Sequence, residues 1–171
     1  MQVYRRAGVL VFFACCMAAG CCGGDRTIEN TAIARAYLDN IIIGRQWDHW
    51  HDYFSADMTY NGTTLAEVAM RATADGLHLA FPDLSLTIAD QVAQADKVVT
   101  RVMFSGTHLG LFNTLEPSGR PVRFQAVMVD QISEGQVVST WQQIDMWGIV
   151  RQLRARDADA LPEKLQDNTG T

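Results

Sequence analysis

The residues best placed to do chemistry lie toward the C-terminal end of the chain. Val122 to Ile132 and Val137 to Trp147 alternate in the manner of strands and meet at Glu134-Gly135, a dipeptide suited to a two-residue hairpin turn. On paper that turn pairs Ile132 with Val137, Met128 with Trp141, Ala126 with Gln143, and Phe124 with Asp145. Cross-strand partners share a face, so Phe124, Ala126, Met128, Trp141, Gln143, Asp145 and Trp147 are expected together. A carboxyl set among Phe124, Trp141 and Trp147 loses hydration, which disfavours its charged form and should raise its pKa into the range of a general acid or base. The same spacing also fits a strand whose Asp145 faces water while the tryptophans pack a core or a dimer contact. The opposite face, with Arg123, Gln125, Val127, Gln142, Ile144 and Met146, suits half-exposure or contact with a second subunit.

Other candidates are weaker. His49 and His51 flank Trp50, with Asp48 and Asp52 nearby, but residues two apart on a helix point to different faces, so no metal site is expected. His78 falls near a predicted helix end and reads as a surface or capping residue. Tyr37, Trp50 and Tyr53 are expected to form the helical wall of a cavity, where core packing and ligand contact look alike.

The elements that must position these groups follow from the period of the apolar residues. Ile28, Ala32, Tyr37, Leu38, Ile41 and Ile42 recur at helical spacing between Asp25, a possible cap, and Gly44. A short helix over 47–54, a brief strand over 58–60 and a third helix over 64–79 come next, the last stopped by Phe81-Pro82. From Leu84 the period changes to two: 84–93 and 98–107 are joined at Ala95-Asp96, and the later hairpin follows a loop over 109–120. Helices first and an antiparallel run afterwards give an α+β fold, its helices covering one face of a curved sheet as a cone with an internal cavity.

Four segments carry a resemblance. Phe81-Pro82-Asp83-Leu84, Gly106-Thr107-His108-Leu109-Gly110-Leu111-Phe112, Pro117-Ser118-Gly119-Arg120-Pro121 and Trp141-Gln142-Gln143-Ile144-Asp145 are similar, in order and interval, to the blocks of SnoaL-like ester cyclases, over about residues 28 to 153. The resemblance implies the cone-shaped α+β barrel also seen in ketosteroid isomerases and nuclear transport factor proteins, usually dimeric through its sheet. It implies no metal or organic cofactor. It also implies that Asp145 takes the acidic proton next to an ester carbonyl, so that the enolate closes a ring by aldol addition. Enclosure of the folded substrate and donors from Gln143, Trp141 or His108 would help such a step. Where many relatives have a His-Gly pair after the first short strand, this chain has Tyr60-Asn61-Gly62, so a supporting pocket group differs.

The N-terminus reads as an address. Arg5-Arg6, an apolar stretch and Ala18-Ala19-Gly20 give the layout of a secretory signal over residues 1–20, too short for a good membrane span. Ala18-Ala19-Gly20-Cys21 resembles a bacterial lipobox, with Ala18 where Leu is preferred. Cys21 is therefore the expected lipidated residue, followed by a short tether over 22–24, a domain over 25–153 and a polar tail over 154–171. All 4 cysteines lie in the first 22 residues, which leaves the domain without a disulfide or thiolate metal site.

The whole chain carries a net charge of −5, and removal of Arg5 and Arg6 makes it more acidic. An acidic surface without basic clusters argues against nucleic acid as a partner. The expected partners are a small apolar substrate, the membrane of the cell envelope through the lipid, and a second copy of the chain. The leading functional reading is a cofactor-independent cyclase-type enzyme acting on a small apolar carbonyl compound. Its rivals are a non-catalytic lipoprotein holding an apolar molecule in the same cone, and an isomerase or hydrolase on the same scaffold.

Overall fold

A computed structural model describes residues 22–154, and Cys21, the signal segment and the polar tail from 155 lie outside the described residues. Helix α1 (Cys22–Tyr37) continues as a π-helical turn over Leu38–Ile43, which Gly44 closes by donating its N–H to the Asp39 carbonyl. The helix thus begins at Cys22, ahead of Asp25. The second predicted helix is a 3₁₀ turn, Trp47–His49, running into the single turn α2 (Trp50–Tyr53). Strand β1 (Phe54–Tyr60) starts earlier than the sequence suggests, and α3 (Ala66–Ala80) follows.

Strands β2 (Ser85–Gln94), β3 (Lys97–Thr107), β4 (Pro121–Ser133) and β5 (Gln136–Ile144) make the antiparallel run expected from the two-residue period. The sheet order is β1-β5-β4-β3-β2, with β1 joined in parallel to β5 at one edge. Both hairpin turns fall where predicted: Ala95, Glu134 and Gly135 have positive φ, and the Glu134-Gly135 pair gives the twist a two-residue hairpin needs. Tyr37, Leu38 and Ile41 from the first helix and Met70, Ala74 and Leu77 from α3 pack onto the inner face of the sheet. Along β4 that face is occupied by alternate residues, Val122 through Ile132, all buried. This is the helix-covered, curved-sheet α+β cone the sequence implies.

The last hairpin departs from the paper register. Ser133 pairs with Gln136 and Ile132 with Val137, as the turn demands, but Gln131 then pairs with Ser139 across a bulge. One residue of β5 is left over, and every later partner shifts by one: Val129 faces Trp141, Met128 faces Gln142, and Ala126 faces Ile144. Because side chains alternate, a one-residue slip sends a whole set to the other face. Strand β5 ends at Ile144, and Met146–Arg154 form helix α4, where a continuing strand had been expected.

Candidate functional site

The bulge corrects the predicted site. Trp141 is 63% and Trp147 77% exposed, and Gln143 also lies outside the cone. Asp145 is exposed and caps α4: its Oδ1 accepts the Gly148 N–H at 2.8 Å, three residues on. A side chain on Gly148 would collide with that carboxylate, so the glycine and the cap belong together. The Asp145 N–H is spent on the Gln125 carbonyl, which docks the start of α4 against β4. A groove of about 490 Å³ opens here on the surface, with Asp145, Trp147, Gln143 and Val127 among its walls. Of the aromatic wall predicted around Asp145, Phe124 alone is inside, stacked on Phe104 at 5.1 Å.

His108 is buried, but in the frame of the loop that follows β3. Its Nδ1 accepts the Ser118 N–H at 3.2 Å, its ring lies 5.7 Å from that of Phe81, and its backbone pairs with Arg120 and Gly119. Burial pushes its imidazolium pKa down, with the Gly110 carbonyl working the other way. Asp83 accepts both the N–H and the hydroxyl of Thr107, and the Ala80 carbonyl accepts the N–H groups of Leu109 and Gly110. Three of the four sequence blocks that carried the resemblance, those around Asp83, His108 and Ser118, thus bind one another.

Of the predicted helical wall, Trp50 is buried against Phe54 with ring centroids 4.0 Å apart, and Tyr53 is a half-buried acceptor for Asn40 Nδ2. His49 meets Asp52 on the surface, and His78 reaches the Ile42 carbonyl at 2.9 Å, tying α3 to the π-helical turn. Among the described residues no group of three or more His, Cys, Asp or Glu could hold a metal ion, and no helix is long and apolar enough to cross a membrane.

Tyr37 leads to the group the sequence reading missed. Its hydroxyl donates to Asp130 Oδ2 at 2.9 Å, while the Thr140 hydroxyl donates to Oδ1 at 2.6 Å. Asp130 has no exposed surface, and among the described residues no cation is paired with it. Desolvation raises its pKa from 3.8 to about 6, the two hydroxyls holding it below where burial alone would take it. Burial, with Asp130 close by, sends the Tyr37 phenol well above its usual range. Isolated charges inside proteins are costly, so a carboxyl held without a cation is poised between its two protonation states. Its signal was present in the sequence: Asp130 shares the even-numbered parity of Phe124, Ala126 and Met128.

A second polar set joins the end of β1 to β5. The Tyr60 hydroxyl donates to Gln142 Oε1, and burial raises the phenol, opposed by the Thr73 hydroxyl of α3. Asn61, at φ 49°, clamps the backbone of Gln142: Oδ1 accepts its N–H at 2.7 Å, and Nδ2 donates to its carbonyl at 3.3 Å. A cleft of about 300 Å³ adjoins this set between α3, the 111–113 loop and the end of β5, with Thr73, Gly76, Leu111, Ile144 and Met146 on its walls.

The comparisons agree with this architecture. A family model described as SnoaL-like polyketide cyclase matches residues 31–153. Among solved structures, a SnoaL-like polyketide cyclase from Agrobacterium tumefaciens superposes with a TM-score of 0.62 at 23% identity, covering 72% of this chain and 97% of that one. TsrD from Streptomyces laurentii gives 0.63 at 26% identity, with 75% and 97% covered. AclR from Streptomyces galilaeus, named as a candidate hydroxylase, gives 0.62 at 25%, with 74% and 96% covered. No curated protein matches the chain.

Proposed function

The chain belongs to the SnoaL-like polyketide cyclase family, and we propose that it performs cofactor-independent acid/base chemistry of the cyclase type on a small apolar carbonyl compound, with Asp130 as the acid/base. The observation that carries this reading is a carboxyl enclosed in the cone without a cation, its pKa about 6. Such a group can take a proton next to an ester carbonyl and return it at neutral pH. In the resting protein both oxygens are held by Tyr37 and Thr140. In this reading the substrate enters by the cleft and replaces the Tyr37 hydroxyl on the carboxyl, leaving the phenol free to donate to the developing enolate oxygen. Asp145, engaged in capping α4 outside the cone, holds the fold.

Deuterium exchange tests this. Methyl 2-naphthylacetate has an acidic C–H beside an ester carbonyl, and NMR in D₂O follows its exchange. The wild-type chain should catalyse it, and Asp130→Asn should lose about 10²- to 10⁴-fold in rate. Equal rates for the two proteins would remove Asp130 from the chemistry.

A second reading, a binding protein without catalysis, is favoured by one observation: Asp130 and Tyr37 are sealed from solvent in the resting structure. It expects retention of an apolar compound from a metabolite extract, identified by mass spectrometry, with no exchange. Two further proposals concern placement. Cys21 carries the lipid that holds the domain at the cell-envelope membrane, which mass spectrometry of the membrane fraction would show as an acylated N-terminus. The chain pairs with a second copy through the outer sheet face, where Val92, Val99, Val129 and Trp141 lie exposed in one row across four strands.

A further inference from the structure

We infer that Thr140 is a positioning residue for the acid/base carboxyl: it holds Oδ1 of Asp130 against the sheet and leaves Oδ2 as the oxygen that exchanges a proton with the substrate. This rests on the proposed function for the role of Asp130 and adds which of its oxygens works and what keeps it aimed.

The two donors to the carboxyl stand on different layers of the fold. Thr140 lies directly across from Asp130 in the β4–β5 ladder, and its hydroxyl reaches Oδ1 at 2.6 Å, within the range of charge-assisted O–H···O bonds. Its branched side chain is stiff at χ1. The strand around it is fixed from the other edge as well. Tyr60 pairs with Thr140 in parallel, and Asn61, left-handed at φ 49°, donates its backbone N–H to the Thr140 carbonyl at 2.9 Å. The Asn61 side chain then takes the N–H and meets the carbonyl of Gln142. The Thr140 hydroxyl therefore cannot leave the carboxyl unless strands move.

Tyr37 is differently mounted. It is the last residue of α1, where the helix passes into the π-helical turn, and its phenol crosses from the helical layer to reach Oδ2 at 2.9 Å. Releasing that bond takes the swing of one side chain. The other neighbours of Asp130 on the inner face are apolar: Val98 across on β3, and Met128 and Ile132 along β4. Thr100, further along β3, is bound by the Gln91 amide. Against the burial that raises the Asp130 pKa, the Thr140 hydroxyl works harder than that of Tyr37.

The division of labour follows. Thr140 has one hydroxyl proton and spends it on Oδ1, which favours the charged carboxylate and stops the group from turning. When Tyr37 gives way to the substrate, the lone pair of Oδ2 faces the reacting carbon. The C–H bond breaks, an O–H bond forms on Oδ2, and the electron pair stays on the substrate as its enolate until the proton returns. The titratable groups facing this carboxyl are Tyr37 of α1 and, beyond it, Tyr60 of β1. Burial raises both phenols, so neither ionises where Asp130 titrates.

Thr140→Val removes the hydroxyl and keeps the branched shape; Thr140→Ala does so with a smaller side chain, and Thr140→Ser keeps the hydroxyl. Two readouts on the full chain apply to each: carbon-13 titration of the Asp130 carboxyl, and the pH profile of deuterium exchange at saturating methyl 2-naphthylacetate. In the Val and Ala variants the titration midpoint should rise by about one pH unit, the loss of one hydrogen bond to the charged form, and the exchange profile should move with it. The plateau rate should fall about tenfold as the carboxyl loses its aim. Thr140→Ser should restore both. Tyr37→Phe should lower the plateau and leave the profile's midpoint in place, because in the complex that phenol has already left the carboxyl. A wild-type midpoint and profile in Thr140→Val and Thr140→Ala, or a Ser variant no better than they are, would overturn the inference. A wild type that exchanges nothing would sink the proposed function alone, since the titration still reads whether Thr140 holds the carboxyl. Exchange and titration unchanged by loss of the hydroxyl would sink the role of Thr140 alone.

Discussion

Asp130 and Asp145 stand on the same hairpin region and meet opposite environments. Asp130 lies on β4 with no exposed surface, and two neutral hydroxyls hold it without an accompanying cation. Asp145 stands just beyond β5 in water, where its carboxylate accepts an N–H at the start of α4. Both carry the same functional group. A bulge between Gln131 and Ile132 decides which of them enters the cone, because it shifts β5 by one residue after the turn has been made correctly. Without it, Trp141, Gln143 and Asp145 would face inward; with it, Thr140, Gln142 and Ile144 do.

The sharpest way to break the comparison is to neutralise each carboxyl in turn. Asp130→Asn should lower the exchange of methyl 2-naphthylacetate by about 10²- to 10⁴-fold, while Asp145→Asn stays within several-fold of wild type. A reversed order would return the chemistry to Asp145 and make the bulge incidental.

Stability against pH should separate the two next. A carboxyl whose folded pKa is raised binds its proton more tightly in the folded than in the unfolded state. Its contribution is therefore most favourable below the unfolded value near 3.8, and is lost as pH rises to about 6. The full shift corresponds to roughly 3 kcal/mol. Urea titrations of the wild type should show this descent across pH 4 to 6, and Asp130→Asn should remove it and be the more stable protein at pH 7. Asp145 predicts a smaller effect of another kind: Asp145→Ala should cost about 1 kcal/mol through the lost cap, read from the same urea midpoints.

The outer face gives the mildest test. Trp141→Lys should yield a monomer by light scattering where the wild type gives a dimer, with unfolding free energy altered by less than about 0.5 kcal/mol beyond the loss of association. A wild type already monomeric at high concentration would mean that the exposed row is simply solvated.

The sequence reveals much of the fold because its evidence is periodic. The change from helical spacing to alternation at Leu84 locates the strands, and the positive-φ pair Glu134-Gly135 marks its turn. Register is harder to read, since β5 also pairs in parallel with β1 along its other edge, with a shift of its own between Phe54 and Thr59. That pairing is between residues distant in sequence and leaves no local trace. The site suffered accordingly. Tyr37 was expected in the cavity wall and does lie inside, whereas Trp141, Gln143 and Trp147 lie outside. Asp130 shares its even parity with Ala126 and Met128, but the family block singles out Asp145. His108 was expected at the site for the same reason, and its block proves to frame a loop.

The central claim is that the carboxyl poised for proton transfer is the one inside the cone. Carbon-13 NMR of aspartate-labelled full chain, with Asp130→Asn and Asp145→Asn used to assign the two signals, measures it directly. The account predicts that the Asp130 carboxyl titrates with a midpoint near 6. A midpoint near 3.8, the ordinary value for an aspartate, would contradict it.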